Sequence, residues 1–256
     1  VGSEMCIRDS RSAAAVCGTA ALTMSLVACG GSNSASGSAD AAIVRVPGTE
    51  PQQGLIPAMT NENGGGRVVD MLYSGLVYYD AEGEVHNEMA ESIDKEGDKT
   101  YKVILKPDIT FSDGTPVTAA TFVDTWNYAV ANEQLNESFF SSIKGYSEGV
   151  EEMEGLKVID DRTFTIELTQ PESDFPSRLG YNAYFPLPPA ALEDPESFGE
   201  NPVSNGPYIL KEWKHNQNLV IEPNPEYSGE RTPKNDGIEF VFYADSGASY
   251  LSLIHI

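Results

Sequence analysis

Residues 156–168 constrain what this 256-residue chain can fold into more than any other stretch. Leu156-Lys157-Val158-Ile159 and Thr163-Phe164-Thr165-Ile166-Glu167-Leu168 flank the polar turn Asp160-Asp161-Arg162, which predicts a β-hairpin. Phe164, Ile166 and Leu168 alternate with polar residues, so one face of the strand is buried and the other wet. Two more hairpins are predicted. Ala90 to Asp94 and Thr100 to Leu105 surround a charged turn containing Gly97-Asp98, and Tyr208 to Lys214 is followed by Leu219 to Glu222. Gly237 to Tyr243 predicts a further strand.

Between these lie helical signals. Thr118 has the chemistry of an N-cap for Ala119 to Ala131, with Phe122, Trp126 and Ala129 or Val130 on the apolar face. Arg67 to Leu76 places Val68, Val69, Leu72 and Leu76 on one stripe, with Asn63-Gly64-Gly65-Gly66 just before it. Ile43 to Val46 alternates as a first strand and runs into Pro47-Gly48-Thr49-Glu50-Pro51, predicted to be a loop because proline cannot continue a sheet interior. Leu76 to Tyr79 predicts a short strand ending in the turn Asp80 to Gly83, and Ser112 to Pro116 another tight turn. The fold class is therefore mixed α/β or α+β with many short strands.

The N-terminal region carries a different signal. Ala13 to Ala28 is too short for a comfortable membrane span but suits the apolar core of a secretory leader. It ends in Leu26-Val27-Ala28-Cys29, which resembles a bacterial lipobox, so lipidation is expected at Cys29. The small residues that follow, to Ala42, suit a flexible tether. Val1 to Asp9 and Leu251 to Ile256 resemble translated sequencing-adapter read-through, so Cys6 and His255 carry no functional argument. Beyond Cys29 there is no other cysteine, which excludes disulfides and thiolate zinc sites there. The net charge of −23 argues against nucleic acid and against adhesion of the folded body to an anionic leaflet.

Enzyme signatures are missing: the sequence has no Gly-x-Ser-x-Gly elbow, His-Glu-x-x-His pair or phosphate-binding Gly-x-x-x-x-Gly-Lys loop. His86 and His215 sit in polar turn-like contexts and read as surface residues. Trp126 and Trp213 read as core. Tyr73, Tyr78 and Tyr79 are either cleft lining or packed rings with wet hydroxyls.

Three stretches together resemble one family. They are Val69 to Asp80 leading to Met89-Ala90-Glu91-Ser92; Thr100 to Lys106 through Phe111-Ser112-Asp113-Gly114-Thr115-Pro116-Val117-Thr118-Ala119 to Phe122; and Ser204-Asn205-Gly206-Pro207-Tyr208 with Trp213 and Glu222-Pro223-Asn224-Pro225-Glu226-Tyr227. In order and spacing they resemble the oligopeptide/dipeptide type of bacterial solute-binding lipoprotein that feeds ABC importers, extracellular solute-binding protein family 5. The resemblance implies a two-lobed clamp of the type II periplasmic binding-protein kind, of which this chain holds one lobe and the second lobe is missing. It implies a leader and artefactual N-terminus over 1–28, a linker over 29–42, a first subdomain over 43–60 and 186–246, an inserted second subdomain over 61–185, and an artefactual C-terminus over 247–256. A ligand is expected to meet Thr49, Glu50, Pro51, Gln52, Asn205 and Gly206, with Glu50 accepting a peptide's amino terminus. No metal, cofactor or catalytic residue is expected. The expected partners are an oligopeptide, the permease subunits of an ABC importer, and the membrane through the lipid; the protein is expected to be a monomer on the outer face of the cytoplasmic membrane. The rival cargoes are a nickel chelate, haem, an opine or an oligosaccharide, and the rival classes a non-transport surface lipoprotein or a hydrolase.

Overall fold

The computed structural model describes residues 42–243. Cys29, the leader, the linker up to residue 41 and the C-terminal segment 247–256 lie outside the described residues.

The chain starts with β1 (Ile43–Gly48), then a 3-10 turn at Pro57–Met59, α1 (Asn63–Leu72) and a ribbon of β2 (Val77–Tyr79) and β3 (Val85–Asn87). Next come β4 (Ala90–Glu96), β5 (Thr100–Leu105), α2 (Ala119–Ala131), β6 (Leu156–Asp160) and β7 (Thr163–Glu167). Short helices α3 (Phe175–Arg178), α4 (Pro189–Glu193) and α5 (Pro195–Glu200) lead to β8 (Tyr208–Lys214), β9 (Asn218–Pro223) and β10 (Gly237–Phe242).

Two four-stranded sheets result. In one the order is β1-β10-β9-β8; β1 lies parallel to β10 and the remaining pairs are antiparallel. In the other the order is β4-β5-β7-β6, antiparallel throughout. Each has its own core. Val68, Val69, Leu72 and Tyr73 of α1 and its C-cap pack with Tyr208, Leu219, Ile221 and Phe240 of the first sheet. Phe122, Trp126 and Val130 of α2 pack with Val103, Leu105, Phe164 and Ile166 of the second.

All three predicted hairpins form. In β7 the alternation works as its chemistry requires, with Phe164 and Ile166 fully buried and Leu168 just beyond them. α2 begins where Thr118 predicts. The Thr118 hydroxyl accepts from the Thr121 amide and Thr121 Oγ1 accepts from the Thr118 amide, a reciprocal cap that satisfies two orphan donors.

Three expectations need correction. Pro47 and Gly48 belong to β1 and not to the loop, because β1 is an edge strand and the missing proline N–H costs no ladder bond there. α1 starts at Asn63 rather than Arg67, so Gly64–Gly66 form its first turn. Glu62 caps it by accepting from the Gly64 and Gly65 amides at 2.6 and 2.7 Å. Glycine is required at 64 because a Cβ there would lie 2.5 Å from the Thr49 carbonyl. Leu76 is buried but lies beyond the helix, in the second core. The strand Val85–Asn87, exposed throughout, has no apolar alternation by which to be read.

Candidate functional site

The structure separates the six predicted ligand residues into two groups at opposite ends of α1. Thr49 to Gln52 wrap over its first turn. Pro51 is buried, Thr49 and Gln52 are exposed, and the Gln52 amide donates to the capping Glu62 at 3.3 Å. Glu50 is committed on both oxygens. Oε1 lies 3.3 Å from Trp213 Nε1 and 2.8 Å from His215 Nδ1, and Oε2 accepts from the Asn216 amide at 2.9 Å. Its carboxylate holds the β8–β9 turn.

His215 is itself bridged, with Nε2 2.9 Å from Glu200 Oε2 at the end of α5. Two carboxylates facing both ring nitrogens suit the imidazolium, which has two N–H donors. These hydrogen bonds, to Glu50 and then Glu200, raise the His215 pKa above its ordinary value. A raised folded-state pKa contributes stability that is complete below about pH 6.5 and is lost as pH rises through the folded value. Replacing His215 by alanine is therefore expected to lower the urea midpoint at about pH 5.5 and to have less effect at about pH 8.5. A deficit equal at both pH values would rule out the charged bridge.

Asn205 and Gly206 sit at the other end of α1. Asn205 is buried, and its amide pairs with the Ser74 backbone as a neighbouring strand would, accepting from the amide at 3.2 Å and donating to the carbonyl at 3.0 Å. The Gly206 amide donates to the Leu72 carbonyl at 2.8 Å, and a Cβ at 206 would stand 2.7 Å from the Leu72 carbonyl carbon. This close approach, which only glycine permits, joins the β8 entry to the end of α1.

Asn205 lines a cavity of about 250 Å³ with Ser74, Met89 and Tyr227, and a more extended concave surface runs along the side of α1. One cavity of about 350 Å³ is lined by Asp70, Tyr78, Tyr79, Tyr181, Asn182 and Arg231 among others. A second, of about 430 Å³, includes Asn61, Asn63, Arg67 and Phe139, and shares Asp70, Tyr181 and Asn182 with the first. The shared wall makes one groove. The aromatics in it are held in place: Tyr78 stacks on His86 at 5.3 Å and donates to Glu230 at 3.1 Å, Tyr79 donates to the Ser177 carbonyl at 2.6 Å, and Tyr181 packs on Phe139 at 5.2 Å. Tyr181 keeps 52% of its surface exposed, which leaves a face open to the groove. Tyr73, by contrast, is fully buried and donates to the Leu55 carbonyl.

Beneath the groove lies a polar network. Glu88, whose side chain is 2% exposed, pairs with Arg231 Nε at 2.9 Å and accepts from Ser74 Oγ at 2.9 Å and Tyr227 OH at 2.5 Å. Arg231 also donates to the Asp70 and Tyr73 carbonyls at the end of α1. Burial, and then the charge of Glu88, pushes the Tyr227 phenol far up, so it stays a donor. Asp70 opens on the groove, yet loss of solvation raises its carboxyl pKa, with Arg231 pulling it back down. Among the described residues no group of three or more His, Cys, Asp or Glu side chains is placed to hold a metal. None of the six predicted residues lines the groove. Tyr78 and Tyr79, weighed as cleft lining, do line it.

A profile described as "Bacterial extracellular solute-binding proteins, family 5 Middle" matches residues 84–255, and the chain belongs to that family. It is 29% identical to the oligopeptide-binding protein OppA of Bacillus subtilis (strain 168), over 75% of this chain and 37% of that protein. It is 30% identical to the probable deoxycholate-binding periplasmic protein YgiS of Escherichia coli (strain K12), over 80% of this chain and 40% of that protein. In structure it is similar to Haemophilus influenzae OppA in complex with RPPGFSPFR, with a TM-score of 0.78, 27% identity, and coverage of 85% of this chain and 45% of that one. The chain thus spans about two fifths of the length of the curated relatives it matches. The fold is mixed α/β, matching periplasmic binding-protein neighbours over that part of their length.

Proposed function

We propose that this chain supplies one wall of the binding cleft of a solute-binding protein that captures oligopeptides outside the cytoplasmic membrane and delivers them to an ABC import permease. The observation that carries the reading is the open groove along α1, walled by fixed tyrosines and asparagines with a saturated carboxylate beneath. Such a surface offers stacking faces and amides to a peptide main chain without demanding one sequence. Kinship with oligopeptide-binding relatives supports the cargo. We assign no catalytic step. Lipid attachment at Cys29 and action as a monomer belong to the same proposal and rest on the sequence. So does a division into subdomains, supported by the first sheet drawing its strands from 43–48 and 208–242 and the second from 90–167. Because α1 packs on the first sheet, we place the boundary after Tyr73 rather than after residue 60. In this reading Glu50, Asn205 and Gly206 are framework, and ligand contact falls to the groove wall.

The test is calorimetric titration of a mixed tri- to pentapeptide pool into the protein expressed from its complete reading frame. Saturable heat with peptides is the expected result. Heat with deoxycholate, which the name of the YgiS relative makes the second reading, or with oligosaccharides, and none with peptides, would overturn the cargo.

A further inference from the structure

We infer that Asp70 forms a subsite for a ligand's cationic side chain, an ammonium or guanidinium on an aliphatic stem, within the groove. The inference deepens the peptide reading and rests on it. Most charges facing the groove already have partners. Glu88 is taken up by Arg231, Ser74 and Tyr227. Glu62 is taken up by the Gly64 and Gly65 amides at the start of α1 and by the Gln52 amide of the loop over it. Arg231 is taken up by Glu88 and two helix carbonyls. Asp70 differs: among the described residues its carboxylate accepts no hydrogen bond and makes no direct ion pair, the nearby Arg231 acting on it only through its charge.

Asp70 is on the wall common to both cavities, so a ligand lying along the groove passes it. Tyr78 lines the first cavity with it and Tyr181 both, their rings immobilised by His86 and Phe139, and an aromatic face beside a carboxylate suits a cation through its quadrupole. Asp70 is exposed on that wall, so an arriving positive charge reaches the carboxylate directly. Arg67, one helical turn earlier, lines only the second cavity and makes no ion pair with Asp70, so it does not occupy the subsite.

Matched tripeptides with lysine or glutamine at the central position are titrated into the wild type and Asp70→Asn, which keeps size and helix geometry. The wild type is expected to bind the lysine peptide roughly tenfold more tightly, and the substitution to remove that preference while leaving the glutamine peptide unchanged, as for loss of one charge-assisted contact. Equal affinities in the wild type, or an equal loss for both peptides in the variant, would overturn the subsite and leave peptide binding standing. If no peptide binds, the peptide reading fails, and the subsite is read separately with butylammonium. The Asp70 carboxyl carbon resonance, assigned from the variant, is expected to shift with butylammonium and not with butanol, and no shift would overturn the subsite.

Discussion

Replacing Arg231 by alanine is expected to destabilise the fold by about 3–5 kcal/mol, the cost of leaving a buried charge without its partner. Glu88 has 2% of its side-chain surface exposed, and Arg231 is the cation that balances it. Ser74 and Tyr227 would remain as donors, but neither carries charge. The same guanidinium donates to the carbonyls of Asp70 and Tyr73, which the helix end leaves without intrahelical partners. Three losses therefore coincide: charge balance, hydrogen bonds to Glu88, and the C-terminal cap of α1. Urea unfolding of Arg231→Ala, Glu88→Gln and the double variant measures them. The double variant is expected to recover part of the deficit, because glutamine accepts from Tyr227 without a charge to balance. A single-variant loss below about 1 kcal/mol, the range of an exposed ion pair, would mean that the network does not behave as a buried, charge-balanced one.

The second large effect is in the other core. Trp126→Ala is expected to cost about 3–5 kcal/mol, as for other buried large-to-small changes. The indole is fully buried, with the rings of Phe122, Phe140, Phe164 and Tyr184 between 5.4 and 6.1 Å from it. Its Nε1–H donates to the Tyr184 carbonyl at 3.0 Å, so the substitution leaves both a cavity and an unsatisfied acceptor. Trp126→Phe keeps most of the packing and is expected to lose less than half as much. The effect should reach the groove as well, because Tyr184 ends the 3-10 turn at Asn182–Tyr184 and Tyr181 precedes it. Weaker ligand binding by Trp126→Ala at a temperature where the protein remains folded would show that coupling. Unchanged affinity would separate the core from the wall.

These two cores differ in how they could be read. The helix α2, its Thr118 cap and its Phe122–Trp126 face were legible because capping and apolar spacing act over a few residues. The same is true of β6–β7 and β8–β9, where alternation and a turn specify the pairing. The start of α1 is hidden in the sequence because three consecutive glycines oppose helix formation by propensity. What overrides them is the Glu62 cap and a loop pressed so close that Gly64 can carry no side chain. The exposed strand Val85–Asn87 gave no apolar signal at all.

The site shows the same division more sharply. Glu50 and Asn205 look like ligand groups in sequence, a carboxylate in a proline loop and an amide before a glycine. In the fold both are spent on backbone and neighbouring side chains. Asp70 lies opposite the buried stripe of its helix, where local sequence marks it as one more solvated acid in an acidic chain. It becomes distinctive only because Tyr181 and Arg231, the latter 161 positions away, are folded against it. The hairpins, the capped helix, the apolar faces and the family are legible along the chain. Which charges are neutralised and which remain open follows only from the folded arrangement. Periodicity and capping depend on neighbours at fixed spacing along the chain, whereas the availability of a charge depends on every group brought near it.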